Sequence, residues 1–312
     1  MTSEYHDLVI LGGGPAGLTA GLYAARSRLD VVLLEGAACG GQLMTYEWVE
    51  NYPGFPEGIE APELVRRMVH QATRFGLKIV KETALSVELH PDRSEKTVVL
   101  KDGAIRCKAI IVATGARARK IGVEGEERFT GKGVSYCATC DGAFFEDCII
   151  SVIGGGDVAV EEGIYLTRFG RQVNIIHRRN ELRATKVIQE RAFSNPKIRF
   201  IWDTVVTGIH GEELVQGITL KNLKTGAVSE MATDCVFIFV GTSASSEFLN
   251  GAVSLDKNGF VIANREMETN VPGIYAAGDV VSKRLRQISA SVGEGSSAAF
   301  NAEQYLESLR GC

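Results

Sequence analysis

The sequence predicts an α/β protein with two doubly wound parallel sheets, one domain being inserted into the other. Three observations predict it. Leu8–Leu11 is an apolar run that meets the glycine turn Gly12-Gly13-Gly14-Pro15-Ala16-Gly17, followed by a helical stretch over 16–28 and a second apolar run, Val31–Leu34. Ile149–Ile153 repeats that grammar: it meets Gly154-Gly155-Gly156-Asp157-Val158-Ala159, a helical stretch over 158–169, and the run Val173–Ile176. Each stretch has the size of a βαβ unit, about thirty residues, and parallel strands joined by a crossover helix build a doubly wound sheet. The third observation is a pair of strands that end in small residues, Ala109–Val112 before Ala113-Thr114-Gly115 and Cys235–Val240 before Gly241-Thr242. These are the points at which the chain passes between domains. The expected boundaries are 1–117 for the first part of the outer domain, 118–243 for the inserted domain and 244–312 for the return. In the return, Ile274–Val280 reads as a strand ending in a glycine turn, and 292–309 reads as a closing helix.

Composition supports a globular enzyme. The chain has 312 residues, with glycine abundant at 35, proline scarce at 7, and no low-complexity tract. A net charge of −4 gives no reason to expect nucleic acid or an anionic membrane as a partner. No apolar run approaches the ~20 residues of a membrane span, and the run at 8–11 lacks the basic flank of a signal peptide. Seven cysteines, of which only Cys137 and Cys140 are closely spaced, do not form a secreted disulfide framework. A cytoplasmic location is expected.

The two glycine turns differ at the end of their second strands. In the first, Gly12 permits the tight turn, Gly14 leaves room for a pyrophosphate, and Gly17 lets the helix pack closely on the strand. The helix N-terminus offers amides and a positive dipole end to phosphate. Glu35 then ends the next strand, where a carboxylate accepts hydrogen bonds from ribose hydroxyls. In the second, Gly154, Gly156 and Ala159 repeat the pattern, but the strand ends in His177-Arg178-Arg179, with Arg183 one turn on. A carboxylate repels a 2′-phosphate, whereas guanidinium groups grip it in a planar fork. The bland alternative is a solvated basic helix start. The acid-ended unit suits FAD and the arginine-ended one NADPH. A flavin accepts a hydride and passes two electrons to a disulfide.

Between the two turns stands Cys137-Ala138-Thr139-Cys140, followed at once by Asp141. The cysteines are close enough to close a disulfide on one turn, and Asp141 could supply or hold a proton as a thiolate leaves. One alternative is half of a zinc site, which needs two further ligands. There is no second Cys-x-x-Cys, and the five histidines lie scattered without ligand spacing, so no metal is expected. Another alternative is a pair of inert thiols. Cys107 and Cys235 lie in or beside apolar strands and read as buried bystanders. Cys312, after a glycine, reads as a frayed bystander, with a C-terminal redox thiol as the alternative.

In this order the motifs resemble the low-molecular-weight, bacterial-type thioredoxin reductases over nearly the whole chain. The resemblance rests on Gly12–Gly17, Gly40-Gly41-Gln42-Leu43, Asn51–Phe55, Ala113-Thr114-Gly115 and Cys137–Asp141. Gly154–Asp157, His177-Arg178-Arg179 with Arg183, Gly278-Asp279-Val280 and Arg286-Gln287 complete it. It implies two Rossmann-like dinucleotide-binding domains, FAD in the outer one and NADPH in the inserted one. It also implies a homodimer, with thioredoxin or a similar small protein as substrate. By resemblance Gly12, Gly14, Pro15, Ala16, Gly17, Glu35, Gly41, Gln42, Asn51 and Ala113–Gly115 contact FAD, with Gly278 and Asp279 along its pyrophosphate and ribityl chain and Arg286 and Gln287 near the flavin. Gly154, Gly156, Asp157, Ala159, His177, Arg178, Arg179 and Arg183 fall to NADPH. Cys140 becomes the flavin-side thiol and Asp141 the proton donor. Because the dithiol and the NADPH site share one domain, the resemblance implies a rotation at the crossings that lets them alternate at the flavin.

Two departures stand out. Val158 occupies a position where the family often has a hydroxyl residue, and Gly241-Thr242-Ser243-Ala244-Ser245-Ser246 lacks the family's Pro-Asn-Thr. The rival readings are a ferredoxin-linked reductase, a dithiol oxidase, a flavoprotein feeding a peroxidase, and a flavin redox sensor without turnover. The first two have no need of Arg178, Arg179 and Arg183. The third carries extra thioredoxin-like domains before the FAD unit. A sensor would bind FAD yet fail to bleach with NADPH.

Overall fold

A computed structural model of the chain describes residues 4–45, 48–49, 51–90, 95–249 and 251–310. The chain forms two compact units, one of Met1–Arg117 with Ser243–Cys312 and the other of Ala118–Thr242.

In the first unit β1 (Glu4–Leu11) enters the glycine turn, α1 (Pro15–Arg26) follows, and β2 (Val31–Leu34) returns parallel to β1 with Leu8 opposite Val31. A short antiparallel pair, β3 (Trp48–Val49) and β4 (Ile59–Glu60), leads to α2 (Ala61–Arg74) and then β5 (Lys78–Val80), which joins β2. Strands β6 (Ser86–Leu89) and β7 (Lys96–Val99) are antiparallel, and β7 pairs with the first half of β8 (Ala104–Val112). β8 also runs parallel to β1, with Leu11 opposite Val112.

The chain crosses through β9 (Ala116–Ala118) into the second unit. There β10 (Val134–Ser135) precedes α3 (Ala138–Asp141). Next come β11 (Ile149–Ile153), α4 (Asp157–Leu166), β12 (Gln172–Ile176), α5 (Lys186–Phe193) and β13 (Ile198–Ile201). An antiparallel sheet of β14 (Thr204–Gly211), β15 (Val215–Asn222) and β16 (Val228–Ala232) precedes β17 (Cys235–Ile238). The central sheet runs β10-β17-β11-β12-β13 and is parallel throughout. The chain returns through β18 (Thr242–Ala244), which pairs with β9. In the first unit it adds β19 (Ile274–Ala276), parallel to β8, and ends in α6 (Ile288–Arg310). The two units repeat one order: strand, helix, strand, helix, strand, antiparallel strands, final parallel strand.

Alternation along the strands fills both faces of each sheet. Leu8 and Ile10 of β1 pack with Ala20 and Ala24 of α1 and Ala298 and Ala302 of α6. Val9 and Leu11 face the other way, toward Val98, Val112 and Val261. The alanines on both helices let them lie close over the strands. In the second unit Ile150, Val152 and Phe237 pack under α4 and α5. Val236 and Ile238 point instead to Val206 and Ile218 of the antiparallel sheet.

Element ends differ slightly from expectation. α1 stops at Arg26 rather than 28 because Arg28 turns left-handed, with φ 60°. α6 begins at Ile288 rather than 292, since Ser291 N already donates to Gln287 O at 3.0 Å. Cys312 lies outside the described residues.

Candidate active site

The first glycine turn is closed from several directions. Gly12 N donates to Leu34 O at 2.9 Å, and Gly12 takes φ 104°, a region that favours glycine. A side chain at Gly12 would run into Ala113 O and Thr114. Gly40 N donates to Gly13 O at 2.8 Å, which brings Gly41 to within reach of Gly14. Gly278 lies against the Ala16 side chain. Gln42 Nε2 donates to Ala116 O at 2.7 Å and to Asp279 Oδ2 at 3.3 Å. Asn51 Nδ2 donates to Gln287 Oε1 at 3.1 Å. Thr114 Oγ1 donates to Ser245 O at 2.5 Å, tying the turn after β8 to the returning chain. Arg286 sits 4.2 Å over the Phe260 ring, and its Nε is 3.4 Å from Asp279 O. Residues of Gly40–Gln42, Ala113–Thr114 and Gly278–Asp279 therefore meet around the start of α1, with Arg286 beside Asp279 and Asn51 bonded to Gln287. Pro15 and Gly17 lie on that first turn.

Glu35 braces the glycine turn directly. Its Oε2 accepts Gly13 N at 2.7 Å and its Oε1 accepts Ala37 N at 2.9 Å. The carboxylate braces the turn and keeps further lone pairs available. Asp279 is largely buried, and burial raises its pKa against the pull of Lys283 and Arg286. Its Oδ1 has no hydrogen-bond partner.

The second turn follows the same plan. Gly154 N donates to Ile176 O at 3.1 Å, and Arg183 N donates to Gly155 O at 2.7 Å. Ala159 packs against Gly154. The His177 ring lies directly against Gly155, as Glu35 lies against Gly13. His177 is buried, and its pKa is lowered by burial and then by Arg183, Arg179 and Arg178. Its Nε2 has no partner. Arg178, Arg179 and Arg183 are exposed, and among the described residues none makes an ion pair. Asp157 Oδ1 accepts Thr185 N at 2.7 Å and so braces the segment before α5. Val158 is exposed at the start of α4, presenting no hydroxyl there.

In this second unit Cys137 and Cys140 form a disulfide, with Cα atoms 5.3 Å apart. Cys137 caps α3, and Asp141 N donates to Cys137 O at 3.2 Å. Burial raises the Asp141 pKa, opposed by a hydrogen bond from Ser135. Among the described residues no group of three or more His, Cys, Asp or Glu is placed to hold a metal.

A model of the pyridine nucleotide-disulphide oxidoreductase family matches residues 6–295. The chain belongs to that family. A thioredoxin reductase of Mycolicibacterium smegmatis is 47% identical over 302 residues, covering 96% of both chains. The crystal structure of thioredoxin reductase from Streptococcus pyogenes MGAS5005 aligns with a TM-score of 0.93 at 44% identity, covering 98% of this chain and 100% of that one. A Lactococcus lactis thioredoxin reductase structure aligns at 0.67 with 45% identity, covering 97% and 99%. As a member, the chain is an oxidoreductase that uses FAD and NADPH.

The residues present fit both dinucleotides. Gly14 and Gly156 each have open space where a side chain would stand, which lets a pyrophosphate reach the backbone. Asp279 Oδ1 and His177 Nε2 are buried polar atoms without a hydrogen-bond partner among the described residues, and a dinucleotide's hydroxyls or phosphates could supply one.

Sequence reasoning missed three residues of these sites. Lys283 Nζ bonds Glu294 Oε2 at 2.6 Å and lies 3.8 Å from Asp279 Oδ1, while Glu294 Oε2 also accepts Gly278 N at 2.8 Å. Ser135 Oγ donates to Asp141 Oδ2 at 2.6 Å. Only its position two residues before Cys137 could have drawn attention to Ser135.

Proposed function

We propose that the chain is a thioredoxin-disulfide reductase that carries electrons from NADPH through FAD and the Cys137–Cys140 pair to the disulfide of thioredoxin or a thioredoxin-like protein. The observation that carries this reading is the disulfide itself, formed next to the half-buried carboxyl of Asp141 in a unit whose second glycine-turn strand is followed by arginines. The first unit, with Glu35, Gln42, Asn51, Asp279, Arg286 and Gln287, holds FAD. The inserted unit, with His177, Arg178, Arg179 and Arg183, holds NADPH by its 2′-phosphate. When bound, the cofactors supply hydride acceptance and two-electron transfer.

The protein's own groups do the rest. Asp141 gives a proton to one sulfur as the disulfide opens. A thiolate of the pair then attacks the partner's disulfide, and the second thiol resolves the mixed disulfide. The enzyme works as a cytoplasmic homodimer, a reading supported by its resemblance to the bacterial-type reductases. The dithiol and the NADPH turn lie in one unit, so rotation about the crossings lets them take turns at the flavin.

Anaerobic titration tests the reading. Flavin absorbance should bleach at low NADPH and only at high NADH, and the reduced protein should then reduce oxidised thioredoxin. Failure to bleach with either nucleotide would refute it. Sedimentation should give the mass of a dimer. A crosslink between the two units should stop thioredoxin turnover, and turnover that survives it would exclude the rotation.

A further inference from the structure

We propose that Ser135 is a positioning residue that holds Asp141 against the Cys137 backbone in both protonation states of the carboxyl, by turning a single hydroxyl hydrogen. The inference rests on the reading of Asp141 as proton donor and deepens it.

Ser135 ends β10 and is buried, with β17 alongside it in parallel register, Ser135 opposite Phe237. Its Oγ has three polar neighbours: Asp141 Oδ2 at 2.6 Å, Cys137 N at 3.1 Å and Cys137 O at 3.3 Å. A hydroxyl has one hydrogen to give and two lone pairs to accept with. When Asp141 is a carboxylate, the hydroxyl donates to Oδ2 and accepts from Cys137 N. When Asp141 is protonated, the acid donates to Oγ, Oγ still accepts from Cys137 N, and the serine hydrogen turns to Cys137 O. Both states are satisfied without moving a heavy atom. A buried hydroxyl or carboxyl without a partner would be costly, so this matters at a site that must change protonation in each cycle.

The balance of the step is as follows. Opening the disulfide takes two electrons, supplied by NADPH, breaks the S–S bond and leaves two sulfur anions. One accepts the Asp141 proton and becomes a thiol, and Asp141 becomes a carboxylate. On reoxidation the thiol returns that proton to Asp141, the S–S bond re-forms, and the electron pair leaves with the partner's disulfide.

Other titratable groups surround the pair. Cys137 and Cys140 flank Asp141 on its own segment, and α4, packed on α3, carries Glu161 and the half-buried Glu162. Cys235 on β17 feels Asp141 together with Cys148 and Asp234. Burial raises the Asp141 pKa, and what holds it down is none of these groups but the hydrogen bond from Ser135.

The test uses the full-length holoenzyme with Ser135→Ala, Asp141→Asn and the double variant. The rate at which NADPH exposes the two thiols, trapped by an alkylating agent, is followed across pH. Flavin bleaching serves as a control for folding and cofactor loading. The wild-type rate should fall at high pH, where Asp141 has lost its proton, and D141N should lack that limb. S135A should move the limb to higher pH, because the carboxylate has lost its donor, and slow the plateau severalfold with bleaching unchanged. The double variant should match D141N alone, since Ser135 acts through Asp141. An unmoved limb in S135A, with the limb absent in D141N, would show that Ser135 merely packs and would overturn the proposal. A limb retained in D141N would overturn the Asp141 reading and the proposal with it.

Discussion

The main-chain amide of Arg183 donates to the carbonyl of Gly155 at 2.7 Å, just as Gly40 donates to Gly13 at 2.8 Å. In both units a later segment is therefore clipped to the middle glycine of the nucleotide turn. The clip uses backbone only, so it sets Arg183 beside the turn whatever its side chain. With Arg178 and Arg179 just past the end of β12, three guanidinium groups gather around His177, whose pKa is lowered first by its burial and then by their field.

This arrangement makes nucleotide choice separable from folding. On the proposed assignment, replacing Arg178, Arg179 or Arg183 with Ala removes a charge-assisted bond to a 2′-phosphate, worth roughly 1.5–3 kcal/mol. The NADPH KM should rise by about 10- to 150-fold for each, with the NADH KM nearly unchanged. Steady-state kinetics with both nucleotides decides it. Equal effects on the two would reject the 2′-phosphate assignment.

Glu35 gives a different prediction, because both its oxygens are already engaged by Gly13 N and Ala37 N. Glu35→Ala leaves the partly buried Gly13 amide without an acceptor and loosens the turn before any ligand contact is counted. Flavin retained per chain after gel filtration should drop, with affinity falling about tenfold or more. Glu35→Gln should fall nearly as far, since its NH2 end would face one of the two amides. A variant that keeps full flavin would show the brace to be dispensable.

The glycine turns, their flanking strands and the cysteine pair were legible because each is a local pattern. Gly12, Gly14 and Glu35 fall on a short stretch whose period reads directly as strand, turn and helix. Lys283, Glu294 and Ser135 were not legible, because their meaning is set by partners brought in by the sheet. Nothing near Glu294 says that it accepts Gly278 N, 16 residues away in the chain. The strands β14–β16 also escaped notice. Their half-buried pattern is interrupted by register shifts between Val206 and Gly208 and between His210 and Gly211. Asp157 was legible as part of a turn, yet its bond to Thr185 N shows it bracing a loop.

The cysteines separate into working and silent groups. Cys107 and Cys235 are fully buried; burial pushes the Cys107 thiol up to about 12 and the Cys235 thiol up as well. A thiol whose pKa is raised is still protonated at neutral pH, and only the thiolate is alkylated. NADPH should therefore expose two new reactive thiols, and alkylation mapping should find them at Cys137 and Cys140 while Cys107 and Cys235 stay unmodified. Cys137→Ser should abolish disulfide reduction while leaving flavin bleaching by NADPH in place. Retained disulfide reductase activity would remove the pair from the mechanism.

The last prediction concerns the Lys283–Glu294 pair, whose side chains are only 14% and 19% exposed. Glu294 serves two donors at once, the Lys283 ammonium and the Gly278 amide. Glu294→Ala strips both and leaves a nearly buried cation beside Asp279. Lys283→Met strips one, and the Gly278 bond survives. Breaking a buried pair from one side costs about 3 kcal/mol, and more where a second bond is lost. The glutamate variant should thus release flavin at lower urea than the lysine variant, and both at lower urea than the parent. In K283M the Asp279 carboxyl also loses a cation that pulls its pKa down, so it should hold its proton to higher pH. Flavin release that is the same in both variants would mean that Glu294 acts only as the counter-ion of Lys283, and that the Gly278 amide does not depend on it.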